Sequence, residues 1–510
     1  GPLSRAKRSS YLINYRYSTT GLLEKLQRNK EMGGTLGYQD LNFKLHFPTR
    51  KAGTFSLWGM GLIDEVAPIP EESPERKYLD EGILSSARQK SGALGVSHRY
   101  FFANHKTSLK TTLATTHSGN HIEEEFYDLN RAKSPKTDLA AGTTRFVLTS
   151  ALNHRFNPRH THKTGVTLTH IRYSMALDFT PFFGRPLENF SHSEGNTNLL
   201  AAWSQSLIRL GENLTLTAGL NLQHLTLTGK TALEPRAGLQ WQATPKSSFA
   251  LGYGLHSRME KPDVYFVKDS SGNLPNKDLD FTRSHHLMLA YTCKISEEMS
   301  LKIEPYFQSL YRVPVAGAYS ILNRKEFYMT RALVSQGKGR NYGVDLTFSK
   351  YLTQGMYYML TASWFRSEYR AADRNWYSTR YNREYTVNAL IGKEWMLGQN
   401  LLGVNLKAGA MGGQRYTPAD ESATLEHPDK EVQYDETQMF SQQFSPMFVG
   451  DFSVSYTMNR RKTAHTFSIK SVNATRQKEY IKHKYNLLTE TIEPFYSTNS
   501  LFNVSYRIDF

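Results

Sequence analysis

A period of two runs through this chain from end to end. In its last segment, Phe502-Asn503-Val504-Ser505-Tyr506-Arg507-Ile508-Asp509-Phe510, every even position is apolar or aromatic and every odd one is polar or charged. Leu214, Leu216, Ala218, Leu220 and Leu222 alternate in the same way with Thr215, Thr217, Gly219, Asn221 and Gln223. Met299, Leu301, Ile303, Pro305, Phe307, Tyr311 and Val313 share one face, and Lys302, Glu304, Gln308 and Arg312 the other. Side chains alternate between two faces only in strands. The segments run to about ten residues, which is what a tilted strand needs to cross a hydrocarbon layer.

Short and long connections alternate between these segments. The short ones include 48–53, 103–106, 157–163, 211–213, 244–247, 296–298, 353–355 and 398–400, and the long polar ones 62–91, 120–143, 179–194, 259–283, 314–337 and 417–446. Antiparallel strands are sorted in this way when a barrel turns tightly in the periplasm and loops widely outside the cell. The expected strands lie at roughly 9–21, 39–47, 54–62, 92–102, 107–118, 144–156, 164–177, 195–210, 214–228, 232–243, 248–258, 284–295, 299–313, 338–352, 356–370, 384–397, 401–416, 447–459, 465–479 and 500–510. The reading is an all-β, transmembrane antiparallel barrel with about twenty strands present. Residues 1–510 then form one domain.

Composition narrows the alternatives. Hydrophobic residues make up 39% and mean hydropathy is −0.53, and no stretch reaches the ~18 consecutive apolar residues of a spanning helix. A barrel needs apolar residues only on its lipid face, so low hydropathy does not count against it. Thirty Tyr and 27 Phe suit interfacial girdles. The charge of +16 is spread through turns and loops with no basic helix or lysine run, which gives no footprint for nucleic acid. With Cys293 the single cysteine, no internal disulfide can form.

Several segments together resemble the barrel of TonB-dependent outer-membrane receptors, particularly the Bacteroidota type. They are GRNYGVDLTFSKYLTQGMYYMLTASWFRSEYR (339–370), EPRAGLQWQATPKSSFALGYGLHSRMEKP (234–262), NKDLDFTRSHHLMLAY (276–291), PYFQSLYRVPV (305–315), STRYNREYTVNALIGKEWMLG (378–398) and GGQRYTPAD (412–420). The tail HTFSIKSVNATRQKEY followed by FNVSYRIDF looks like that family's closing pair of strands. The resemblance implies 22 strands, an N-terminal plug, and import of a scarce, large solute with energy relayed through TonB. The chain departs from that pattern in having no recognisable plug or TonB-contact segment. It reads as the barrel portion of a longer receptor, about two strands short. Such a barrel has a lumen too wide for its own side chains to fill.

The implied partners are outer-membrane lipids and lipopolysaccharide, TonB, a surface lipoprotein, and the barrel-assembly machinery, for which Tyr506, Ile508 and Phe510 of the final strand form the signal. Val504, Tyr506 and Ile508 should face lipid, and Ser505 and Arg507 the lumen. Ligand contacts should come from DRNWYSTRYNR, where Trp376, Tyr377, Arg380 and Tyr381 combine aromatic faces with a guanidinium that can grip a siderophore, a sugar or a corrinoid. No cofactor, metal or catalytic residue is expected. His160 and His162, with His154 nearby, read as a solvated turn; His285 and His286, adjacent in a strand, point to opposite faces and cannot share one ion. The carboxylates of 123–125 and 426–436 read as loop solvation. A passive porin, or a structural or secretion-associated barrel plugged by another chain, is the alternative function.

Overall fold

The computed structural model describes residues 1–510 apart from 5–7, 19–33, 69–75, 129–131, 181, 270 and 327. Residues 19–21 of the strand expected over 9–21 therefore lie outside the described residues. Among the described residues, nearly all strand positions belong to one 23-stranded antiparallel sheet, three of whose members are pieces of two or three residues. Neighbours in sequence are neighbours in space, as in an up-and-down meander. Ser9–Tyr17 pairs with Gly34–Pro48, that strand with Thr54–Pro68, and so on to Ala464–Val472 with Leu501–Asp509. Among the described residues, no ladder joins Leu501–Asp509 to the first strands.

Register converts the sequence pattern into two walls. Leu216, Leu239, Leu251 and Leu289 are direct cross-strand partners on successive strands, and the last three stand exposed on the outside. Near the short turns of the same strands, Trp241, Phe249 and Tyr291 pair ring to ring, with centroids 5.7 and 4.9 Å apart. Towards the long loops, Tyr253, His285 and Tyr311 repeat the arrangement at 6.1 and 5.4 Å. Two aromatic bands with leucine between them are the profile of a surface crossing both interfaces of a bilayer. Between the bands, charges go to the other wall, where they pair in water: Arg16 with Asp40 at 2.7 Å, and Lys407 with Asp451 at 3.4 Å.

Several strands run further on the long-loop side than the alternation indicates, whereas those expected over 214–228, 401–416 and 465–479 stop early, at Leu225, Met411 and Val472. Residues 120–143, expected as a loop, are mostly strand in Thr107–Tyr127 and Lys133–Asn157. Beyond the bilayer both faces of the sheet are wet, so hydrophobic alternation fades while the backbone ladder continues, as in the pairing of Glu123 with Asp138. A second difference is a bulge at Arg312, whose φ is +55°. It breaks the register between Tyr311 and Val313, so that Val313 leaves the outer face shared by Met299 to Tyr311 and is fully buried.

The hydrophobic core sits at the long-loop end. Segments 259–281 and 313–333 bring Val264, Tyr265, Phe281, Val313, Val315, Met329 and Leu333 together with Leu225. A second cluster sets Phe266 against Tyr173, Met175 and Leu177 of the wall. Gly195 admits that ring: a Cβ there would overlap Phe266. Asn276 ties the two segments together, its Nδ2 donating to Arg331 O at 2.9 Å and its Oδ1 accepting from Leu333 N at 2.7 Å. Arg324 and Asp263, both nearly buried, form an ion pair in the same layer.

Candidate functional site

Below this layer the inner wall is concave. The direct partners Arg236, Gly254, His286, Gln308, Asn341 and Ser367 stand side by side on six consecutive strands. They line a cavity of about 690 Å³, together with His256, Glu304, Tyr306, Asp345 and Tyr381. Glycine at 254 sits between bulkier neighbours and deepens the concavity. The volume lies in the range of small-molecule sites, about 300–1,000 Å³.

The polar groups of the wall are held in place. Glu234, 1% exposed, accepts from Asn221 Nδ2 at 2.8 Å, Gln223 Nε2 at 2.7 Å and Ser257 N at 2.8 Å. Arg236 Nη2 approaches the same carboxylate at 2.6 Å, which anchors a half-exposed guanidinium at the cavity edge. On the opposite side Asn341 Nδ2 donates to Gln308 Oε1 at 3.1 Å, and Ser367 Oγ donates to Asn341 Oδ1 at 2.7 Å. Thr379 Oγ1 continues the chain to Ser367 Oγ at 2.8 Å, and buried Asn382 accepts from Ser367 N at 3.1 Å. Tyr381 lies between Thr379 and Asn382, so this network carries its exposed ring to the cavity.

The four residues expected to grip a ligand are distributed by strand geometry. Trp376 and Tyr377 are paired with Arg370 and Tyr369 and so point to opposite faces. Trp376 lies outside beneath the Arg340 guanidinium, 4.3 Å from its ring centroid. Tyr377 stacks inside on Tyr369 at 5.5 Å and donates to Asp373 at 2.5 Å. Arg380 lies 5.3 Å over the Tyr381 ring, and Tyr381 reaches the cavity. Tyr506 pairs with Phe467 and Ile508 with His465 on the outer face, and Phe510 ends the chain fully exposed.

The histidine and carboxylate groups also have defined places. His160 and His162 both reach Ser206 Oγ, at 3.1 and 2.9 Å, while His154 meets Thr107 Oγ1 at 2.8 Å. His285 turns outward and His286 inward, where the ring of His256 waits on the next strand. Glu124 accepts from Thr137 and Glu125 pairs with Lys133. Glu123, His121 and Asp138 set one ligand atom each within 4.8 Å of one another on the outer wall. In 426–436, Asp429 accepts from Phe183 N at 3.0 Å and Asp435 caps a short turn through Thr437 N at 2.9 Å. The Thr437 hydroxyl, with Gln438, holds the Asp435 carboxyl below the ordinary carboxylate range.

Sequence reasoning missed the hairpin Glu479–Asn486 and Thr491–Ser497, which packs against Tyr416 and Phe444. Its Lys482 and Lys484 reach Asp80 of a distant loop at 2.6 and 2.9 Å. Burial alone would raise the Asp80 carboxyl, but the two ammonium groups outweigh it and hold it low. His483 packs among Tyr416, Phe444 and Tyr480, and burial pushes its imidazole below its ordinary value. The Lys and Tyr content of 479–497 was the available signal.

Among the described residues, no helix is long and apolar enough to cross a membrane. The sequence matches no curated protein. The fold, in contrast, is shared with solved receptors. The ferric preacinetobactin receptor BauA of Acinetobacter baumannii superposes at a TM-score of 0.69 with 13% identity over 100% of this chain and 76% of its own. The pyoverdine receptor FpvA of Pseudomonas aeruginosa gives 0.70 with 12% identity over 100% and 75%. The ferric-catecholate import receptor Fiu of Escherichia coli K12 gives 0.68 with 10% identity over 98% and 77%. These are outer-membrane receptors, and the family is one of receptors and transporters rather than enzymes. The model of the TonB dependent receptor-like β-barrel matches residues 26–475, and this chain belongs to that family.

Proposed function

We propose that residues 1–510 form the barrel of an active importer for a scarce, large solute such as a siderophore, a corrinoid or an oligosaccharide, with energy relayed through TonB. The observation that carries this reading is the polar and aromatic cavity set into the inner wall beneath a packed layer of loop segments. A cargo held there would be shielded from the medium before it is released inward. In this reading the barrel has the family's 22 strands, with short periplasmic turns and long extracellular loops. Arg380 and Tyr381 contribute to ligand contact, with Trp376 and Tyr377 bracing the segment that carries them. Tyr506, Ile508 and Phe510 present the assembly signal, and outer-membrane lipid, lipopolysaccharide and a surface lipoprotein are the neighbours.

Growth of a deletion strain on single defined sources of iron, corrinoid and glycan tests the proposal. One source should fail to support growth, and the same source should fail when TonB is removed. Growth that needs the chain but not TonB would instead identify a passive pore.

A further inference from the structure

The imidazoles of His256 and His286 meet on the cavity wall, with ring centroids 4.7 Å apart and planes inclined by 50°. They sit on neighbouring strands, diagonally placed, since the direct partner of His286 is Gly254 and that of His256 is Ser284. Gly254 makes the contact possible: a Cβ there would lie 2.5 Å from His256 Nε2 and push the ring away. Neither imidazole has a hydrogen-bond partner among the described residues. Elsewhere on the barrel His154, His160 and His162 are all taken up by hydroxyls.

The spacing suits a shared ion. With metal–nitrogen bonds of about 2.0–2.1 Å and each nitrogen about 1.1 Å from its ring centre, two imidazoles at angles between square and tetrahedral have centroids about 4.5–5.2 Å apart. The charges next to the pair cancel: Glu234 is matched by Arg236 at 2.6 Å, and along the cavity Glu304 is matched by Lys302 at 2.8 Å. The thioether side chain of Met288, two residues along the same face, lines the same cavity and offers a soft donor. Two or three protein donors leave positions open for ligands that travel with the ion.

We propose that His256 and His286 form a two-imidazole site for a transition-metal ion of the copper, nickel or zinc kind. The inference rests on the importer reading for the ion's role as part of the cargo, either alone or in a carrier with open coordination positions. Imidazole suits these borderline metals, and open positions allow hand-over rather than permanent retention.

The test uses the full chain, purified in detergent and titrated with Cu(II), Ni(II) and Zn(II) salts. The expected result is one saturable ion per chain, with Cu(II) spin resonance showing coupling to two imidazole nitrogens. His256→Ala and His286→Ala should each weaken binding about tenfold or more and leave one coupled nitrogen. Gly254→Ala keeps both imidazoles and should weaken binding by displacing one. The double variant His160→Ala/His162→Ala should leave binding unchanged, and heat-dependent gel migration reports that every variant is folded. No saturable binding, or binding that survives in folded His256→Ala and His286→Ala, overturns the proposal. Because no transport is measured, loss of the metal site would leave the importer reading intact, and TonB-independent uptake would leave the metal site intact.

Discussion

Phe266 stacks on Tyr173, ring centroids 5.6 Å apart and planes within 11°, and this contact fastens a loop segment to the inner face of the wall. The two rings belong to different layers, Tyr173 to the strand His160–Phe179 and Phe266 to the turn that follows Pro262–Tyr265. Phe266→Ala would leave a void beside Gly195 at a cost of about 3 kcal/mol. The expected outcome is faster proteolysis within 259–281 with unchanged heat-dependent migration of the barrel. Equal cleavage rates in the two proteins would show that the stack does not hold the segment.

The final strand offers a contrast between its two faces. Val504 pairs with Ile469 on the outside, and Ser505 with Ser468 on the inside. Val504→Arg should cost about 2–4 kcal/mol near the bilayer midplane, whereas Ser505→Arg in the wet lumen should be near neutral. Urea unfolding from lipid vesicles measures both. Similar losses for the two variants would contradict the assignment of faces.

The hairpin at 479–497 should respond to mild acid. Burial favours neutral His483, so its folded pKa lies below the ordinary 6.5. Between those two values the released segment binds a proton that the docked one does not. Docking is therefore fully stable above about pH 6.5 and weakens as pH falls from there towards the depressed value. Hydrogen-exchange protection across 479–497, taken relative to the intrinsic amide rate at each pH, should be lower at about pH 5.5 than at about pH 7.5, and His483→Phe should flatten the difference. Tyr480, whose hydroxyl lies 2.9 Å from His483 Nδ1, is the immediate polar partner of that ring.

Tyr381 and Trp376 should separate functionally. Only Tyr381 lines the cavity, while Trp376 is covered on the outer wall by Arg340. Tyr381→Ala should weaken cargo binding by about fivefold or more, the loss of a typical aromatic anchor. Trp376→Ala should leave binding unchanged. Calorimetric titration with the cargo identified by growth would measure both, and a reversed order would place the binding surface on the outside.

Sequence by itself determined the fold class and the facing of most strands, because alternation in an antiparallel sheet records which side meets lipid and which meets water. It determined strand extent only across the bilayer, since beyond it both faces are wet and the pattern fades, as it does over 120–143. The alternation sets Val313 on one face with Met299 to Tyr311, because a bulge has no periodic signature. What only the tertiary structure decided were the pairings at a distance. His286 meets His256, Lys484 meets Asp80, and Phe266 meets Tyr173 because register and loop docking bring together residues tens to hundreds of positions apart. Alternation says which wall a residue belongs to, and only the hydrogen-bonded register says which neighbour stands beside it.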